Sequence, residues 1–181
     1  MNFKIWICFF CVVFSCSKLA AQENNKVPRL EKVAISNSGT FAYFPKTETA
    51  KTFDISYSED SAKIYTGDFI HNDFHFAIIV VKMKENMNTK EEKENMMIAY
   101  LDYLQLSFEI KKTAGYGKGH TLESSPNAVG IIDYWQDKEE EKWAVKAWAD
   151  GNILSVMMLY GAKEYPIFNI QQMFLDGFRF K

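Results

Sequence analysis

Trp143–Tyr160 reads WAVKAWADGNILSVMMLY, two apolar runs on either side of the pair Asp150-Gly151. An Asp-Gly pair suits a tight turn that needs positive φ, so the stretch predicts a β-hairpin. In a pleated second arm, Ile153, Met157 and Leu159 point one way and Leu154, Val156 and Met158 the other. Both faces of that strand therefore have to be covered, which makes it central and calls for two further layers. Pro166–Leu175, ended by Gly177 and followed by Phe178-Arg179-Phe180, predicts a helix that supplies one layer and a short last strand.

Asn88–Phe108 supplies the other. Thr89 with Glu92 three places on forms a capping box, and Glu91, Glu92 and Glu94 crowd the end where the helix dipole favours negative charge. Met97, Tyr100, Leu101, Leu104 and Phe108 fall within about 100° of one another at helical spacing, with Asn95, Asp102 and Glu109 opposite, so one stripe packs on a sheet.

Between these elements the periodicity is that of strands. Phe53, Ile55 and Tyr57 alternate with Asp54 and Ser56, predicting a half-buried outer strand. Lys63–Ile70 and Phe74–Met83 form a longer hairpin turning at His71-Asn72-Asp73, and its second arm is apolar at both parities. Lys111–Leu122 carries Gly115, Gly117 and Gly119 in a flexible loop that enters an extended segment. Ser124–Asn127 is a turn, Val129–Trp135 another strand, and Asp137–Lys142 a solvated tip. The expected architecture is α+β, an antiparallel sheet flanked by helices on both faces. The alternative is a cystatin-like or NTF2-like cone with helices on one face, whose other face would need a ligand or partner.

Outward from this core, the beginning of the chain reads as an export signal. Lys4 precedes an unbroken apolar run from Ile5 to Phe14, too short to cross a bilayer, which takes roughly 20 apolar residues. Residues 1–21 read as a signal peptide, cut either before a lipidated Cys16 or after Ala21. Localisation is accordingly periplasmic or that of a membrane-anchored lipoprotein, with the lipid as the only contact with the membrane. Residues 22–38 are polar and read as an N-terminal tether, and 39–181 as a single domain.

The three cysteines, Cys8, Cys11 and Cys16, all lie in the leader, so stability has to come from the core and not from disulfides. A chain of this size buries roughly 68–70% of its unfolded surface, enough for the purpose. Cleavage after Ala21 removes Lys4 and Lys18 and takes the net charge from −2 to −4, which argues against a nucleic-acid groove.

Three groups of residues invite a functional reading. His71, Asp73 and His75 are spaced by two and would share a face of a regular strand, offering two imidazoles and a carboxylate to a metal ion; the alternative is ordinary exposed histidines near a turn. The glycine loop matches neither phosphate-cradle pattern, and a strand rather than a helix follows it. It reads better as a lip over a pocket, with Tyr116, His120 and Trp135 near the mouth of a site for a small apolar or sugar ligand. Trp135 is the tryptophan expected to be exposed; Trp143, Trp148, Tyr134 and Tyr160 are expected in the core. No nucleophile elbow is present and no cofactor is implied.

The opening Gly39–Pro45, GTFAYFP, the long hairpin before one central helix, the strand meander and the close Met173–Phe180, MFLDGFRF, together resemble the Mog1/PsbP-like α/β/α sandwich group. The resemblance spans about Gly39 to the end of the chain. It implies a non-enzymatic accessory or binding protein and carries over no binding residue; the export signal, the sandwich pattern and the lack of catalytic motifs make the expected role that of an exported accessory domain that docks on an envelope protein. A binder of a small ligand and a metal-dependent enzyme built on His71, Asp73 and His75 are the alternatives.

Overall fold

The computed structural model describes residues 28–162, 164–165 and 168–181. The leader with Cys16, residues 22–27 of the expected tether, and Pro166 lie outside the described residues. Among these residues the chain is α+β, with mostly antiparallel sheets and two helices. Eight strands form the main sheet: β3 (Asp54–Tyr57), β4 (Lys63–His71), β5 (Phe74–Lys82), β6 (Lys112–Thr113), β7 (Gly117–Leu122), β8 (Ser125–Gln136), β9 (Lys142–Asp150) and β10 (Ile153–Ala162). Their order across the sheet is β3-β4-β5-β10-β9-β8-β6, with β7 also paired to β8.

The hairpin that decided the sequence reading holds the middle. β10 pairs with β5 on one side and β9 on the other. Ile153, Met157 and Leu159 join one buried cluster, with Phe174 and Leu175 of α2 (Phe168–Leu175) and with Trp148. Leu154, Val156 and Met158 join a second, with Met97, Leu101 and Leu104 of α1 (Lys90–Ser107). The split follows the parity of the sequence. Its turn sits one residue later than Asp150-Gly151: Asp150 pairs with Ile153, leaving Gly151-Asn152 as the loop, with Gly151 at φ 54°. Helix α1 starts as expected, Thr89 accepting from the Glu92 N–H while the Glu92 carboxylate accepts from the Thr89 N–H.

Three expectations change. The stretch read as a tether contains β1 (Leu30–Ala34), which pairs with β2 (Phe41–Pro45) in a separate two-stranded sheet. Val33 packs on the first cluster, so a single side-chain row is enough to fix the strand even where the sequence looks polar. β3 is an outer strand, but it is exposed along its whole length; Phe53 before it packs inward, against Phe44 and Phe69. Trp135 is 1% exposed, because its strand continues into a second ladder with β6 and α1 covers its ring.

Among the described residues no helix is long and apolar enough to cross a membrane.

Candidate functional site

The two groups of candidate site residues, His71, Asp73 and His75 and then Tyr116, His120 and Trp135, are each split between the two faces of the sheet. At the β4–β5 turn, Asn72 and Asp73 both take positive φ, 49° and 64°, as a two-residue turn of the primed type requires. His71 then pairs with Phe74 and His75 with Ile70. Directly opposed residues share a face, so the two imidazoles lie on opposite faces: the His71 ring stands 6.4 Å from Phe76, while His75 stacks 4.5 Å from Tyr160. His75 Nδ1 lies 2.8 Å from Asp68 Oδ2, which also accepts from the Tyr160 hydroxyl at 3.0 Å. Among the described residues no group of three or more His, Cys, Asp or Glu is placed to hold a metal ion. The turn that the same sequence encodes undoes the spacing that suggested a metal. Burial, and then Asp68, push the Tyr160 phenol up, so the hydroxyl is a hydrogen-bond donor and the cluster ties β10 to β4.

Tyr116 and His120, four apart, would share a face of a regular strand. A bulge separates them: Lys118 pairs with Ile131 but His120 with Gly130, and the extra residue is Gly119 at φ 90°. Tyr116 faces α1, its hydroxyl donating to Asp102 and accepting from Gln105 Nε2 at 3.3 Å. Trp135 is on that side too, its indole N–H donating to Asp133 Oδ2 at 2.7 Å. His120 alone of the three turns toward α2, where it does line a cleft.

That cleft, about 280 Å³, lies between α2 and strands β7 to β9. Ile132, Phe168 and Leu175 supply apolar wall; His120, Tyr134, Lys146, Gln172 and Asp176 supply polar groups. They come from β7, β8, β9 and the α2 segment, and register decides which strand residues face the cleft. Ile132 on β8 opposes Lys146 on β9, so Lys146 points to the α2 face and not to α1. The lysine is 5% exposed; its Nζ sits 2.6 Å from Asp176 Oδ1 and 4.7 Å over the Trp148 ring. Asp176 stands just beyond the end of α2, whose last turn is fixed by Trp148 Nε1 donating to the Leu175 carbonyl at 2.8 Å.

Burial pushes the His120 imidazole below its ordinary value, Lys146 pushes the same way, and Asp176 opposes them. At neutral pH the ring is uncharged, with one N–H to donate and one nitrogen to accept. Burial and then Asp176 hold the Tyr134 phenol up, keeping it a donor. The cleft thus offers a cation, a carboxylate and two neutral donors over an apolar wall, which is a binding surface for a small molecule of mixed polarity.

A lowered histidine pKa has a signed consequence. Between the ordinary value and the folded one, the unfolded chain takes up the proton first, so this contribution to stability is complete above about pH 6.5 and is lost as pH falls. The wild type is therefore expected to lose more of its melting temperature between pH 7.5 and pH 5 than His120→Gln does. Equal losses in thermal melts of the two proteins would remove the assignment.

The signal for this site was present in the sequence. Lys146 is the only charge inside WAVKAWA, a strand otherwise apolar at both parities, and a buried lysine needs a reason. Its partner Asp176, thirty residues away beside Gly177, has no such mark. No protein-family model matches the chain, and no curated protein matches it in sequence.

Proposed function

We propose that this chain is a non-catalytic binding domain that takes a small ligand in the cleft beneath α2. The ligand's apolar body lies on Ile132, Phe168 and Leu175, and its polar group meets Lys146, Asp176 and His120. The observation that carries this reading is the burial of Lys146. Placing an ammonium in a central strand costs several kcal/mol of desolvation, and an apolar side chain of the same volume would serve the core at least as well. A charge kept there at the floor of a cleft, next to a histidine held neutral, is the pattern of a binding site.

The wider setting we propose is that of an exported accessory domain of the cell envelope. The finer fold belongs with it: α1 over one face of the sheet and α2 over the other, the layering of the Mog1/PsbP-like group. The two buried clusters support that layering, one holding α1 residues and the other α2 residues. The export reading rests on the leader sequence alone.

Thermal-shift measurements with two panels, mono- and disaccharides and short amphiphiles, test the ligand reading. A compound at about 100 times its Kd adds about 2.7 kcal/mol, which for a chain of this size raises the melting temperature by roughly 5–10 °C. Lys146→Met, which retains the volume and removes the charge, is expected to abolish the shift, and His120→Ala to reduce it. Two silent panels, or a shift indifferent to both substitutions, would defeat the proposal.

A further inference from the structure

Helix α1 is apolar on two sides. Met97, Leu101 and Leu104 are buried against the sheet. On the far side Met96, Ala99, Tyr103 and Leu106 fall within about 80° of one another at 100° per residue. All four are exposed, with Met96, Tyr103 and Leu106 at 40%, 60% and 82%. Their spacing of three, four and three is the seam of a short coiled coil, with Met96 and Tyr103 at one set of positions and Ala99 and Leu106 at the other. The row stands on the side of α1 away from the sheet, where Tyr103 lies beside Tyr100 of the same helix, 5.9 Å between ring centres.

We infer that this row is a self-association surface, through which α1 of one copy packs antiparallel on α1 of a second. Two features of the row select that occupant and that direction. It is self-complementary about a two-fold axis at the level of Leu101: Met96 meets Leu106 of the second copy, and the large Tyr103 meets the small Ala99, as an isologous contact requires. The ends are also opposite in charge. Glu91 and Glu92 are exposed in the first turn, where Lys90 is paired with Glu94, and Lys111 and Lys112 are exposed just past the last, where Glu109 is paired with Lys138. Antiparallel packing sets acids beside lysines at both ends, whereas parallel packing sets like beside like. Two heptads make a small contact, below the size of a permanent interface, so the dimer is reversible and concentration-dependent.

Sedimentation velocity of the purified protein, from low micromolar to several hundred micromolar, is expected to show the average mass rising toward twice that of the monomer. Leu106→Glu and Tyr103→Glu, at exposed positions that leave the core intact, weaken association at least about 10-fold, a loss of roughly 1.4 kcal/mol. Tyr57→Glu, on an equally exposed aromatic of β3, leaves it unchanged. Lys111→Glu with Lys112→Glu weakens it at low salt, because acids then face acids. A wild type that stays monomeric at every concentration overturns the inference and gives the row to a different protein. Association that ignores Leu106→Glu, or falls equally with Tyr57→Glu, overturns it as well, and indifference to the lysine reversal overturns the antiparallel direction.

Discussion

Replacing Gly130 with alanine is expected to cost about 3 kcal/mol or more, the upper end for overpacking, and to lower the melting temperature by roughly 6–12 °C. Gly130 stands between His120 on β7 and Trp148 on β9 in one cross-strand row. A Cβ built there lies 2.3 Å from Trp148 Cζ3 and 2.9 Å from His120 Cβ, both far inside contact distance. The tryptophan has nowhere to retreat: it is fully buried, and its N–H is held by the Leu175 carbonyl at the end of α2. Relief has to come from moving β7 or α2, the two walls of the cleft, so ligand binding falls with stability. Urea unfolding measures the loss. Adding Trp148→Leu opens the space again, and the double variant is expected to be more stable than the sum of the two single losses allows. A tolerated alanine, or simple additivity, would show that the close approach does not constrain the sheet.

Asp133→Asn carries the second large effect, about 2–4 kcal/mol. The carboxylate is 1% exposed and takes part in no ion pair among the described residues. It accepts four hydrogen bonds instead. Oδ1 takes the backbone N–H groups of Gly115 at 2.9 Å and Tyr134 at 2.8 Å; Oδ2 takes Trp135 Nε1 at 2.7 Å and Gln105 Nε2 at 3.3 Å. One side chain thereby fastens the glycine loop, strand β8 and helix α1 together. Asparagine keeps the shape and can serve only two of these donors. Its own NH2 then meets the Trp135 N–H and the Gln105 amide, and a buried donor facing a donor costs the full desolvation of both. The urea midpoint is expected to fall with an unchanged slope, and the near-ultraviolet signal of Trp135 to change with it. A loss under about 0.5 kcal/mol would mean that water reaches the site and replaces the carboxylate.

What the sequence alone determined is whatever repeats over a few residues, because hydrophobic burial acts through local periodicity. The parity of Ile153–Tyr160 gave the central strand and divided its side chains correctly between two buried clusters. Thr89 and Glu92 marked the helix start, and Asn72-Asp73 marked a turn that needs left-handed backbone. What only the tertiary structure decided is whatever depends on register. A single inserted residue at Gly119 sends His120 to the opposite face from Tyr116, and a two-residue turn does the same to His71 and His75. The cleft gathers positions 120, 146 and 176 from three distant segments, and no local pattern joins them. Side-chain direction in a strand reverses with every residue, so one bulge or turn is enough to cancel a spacing argument, while the apolar pattern that fixes the strand survives it.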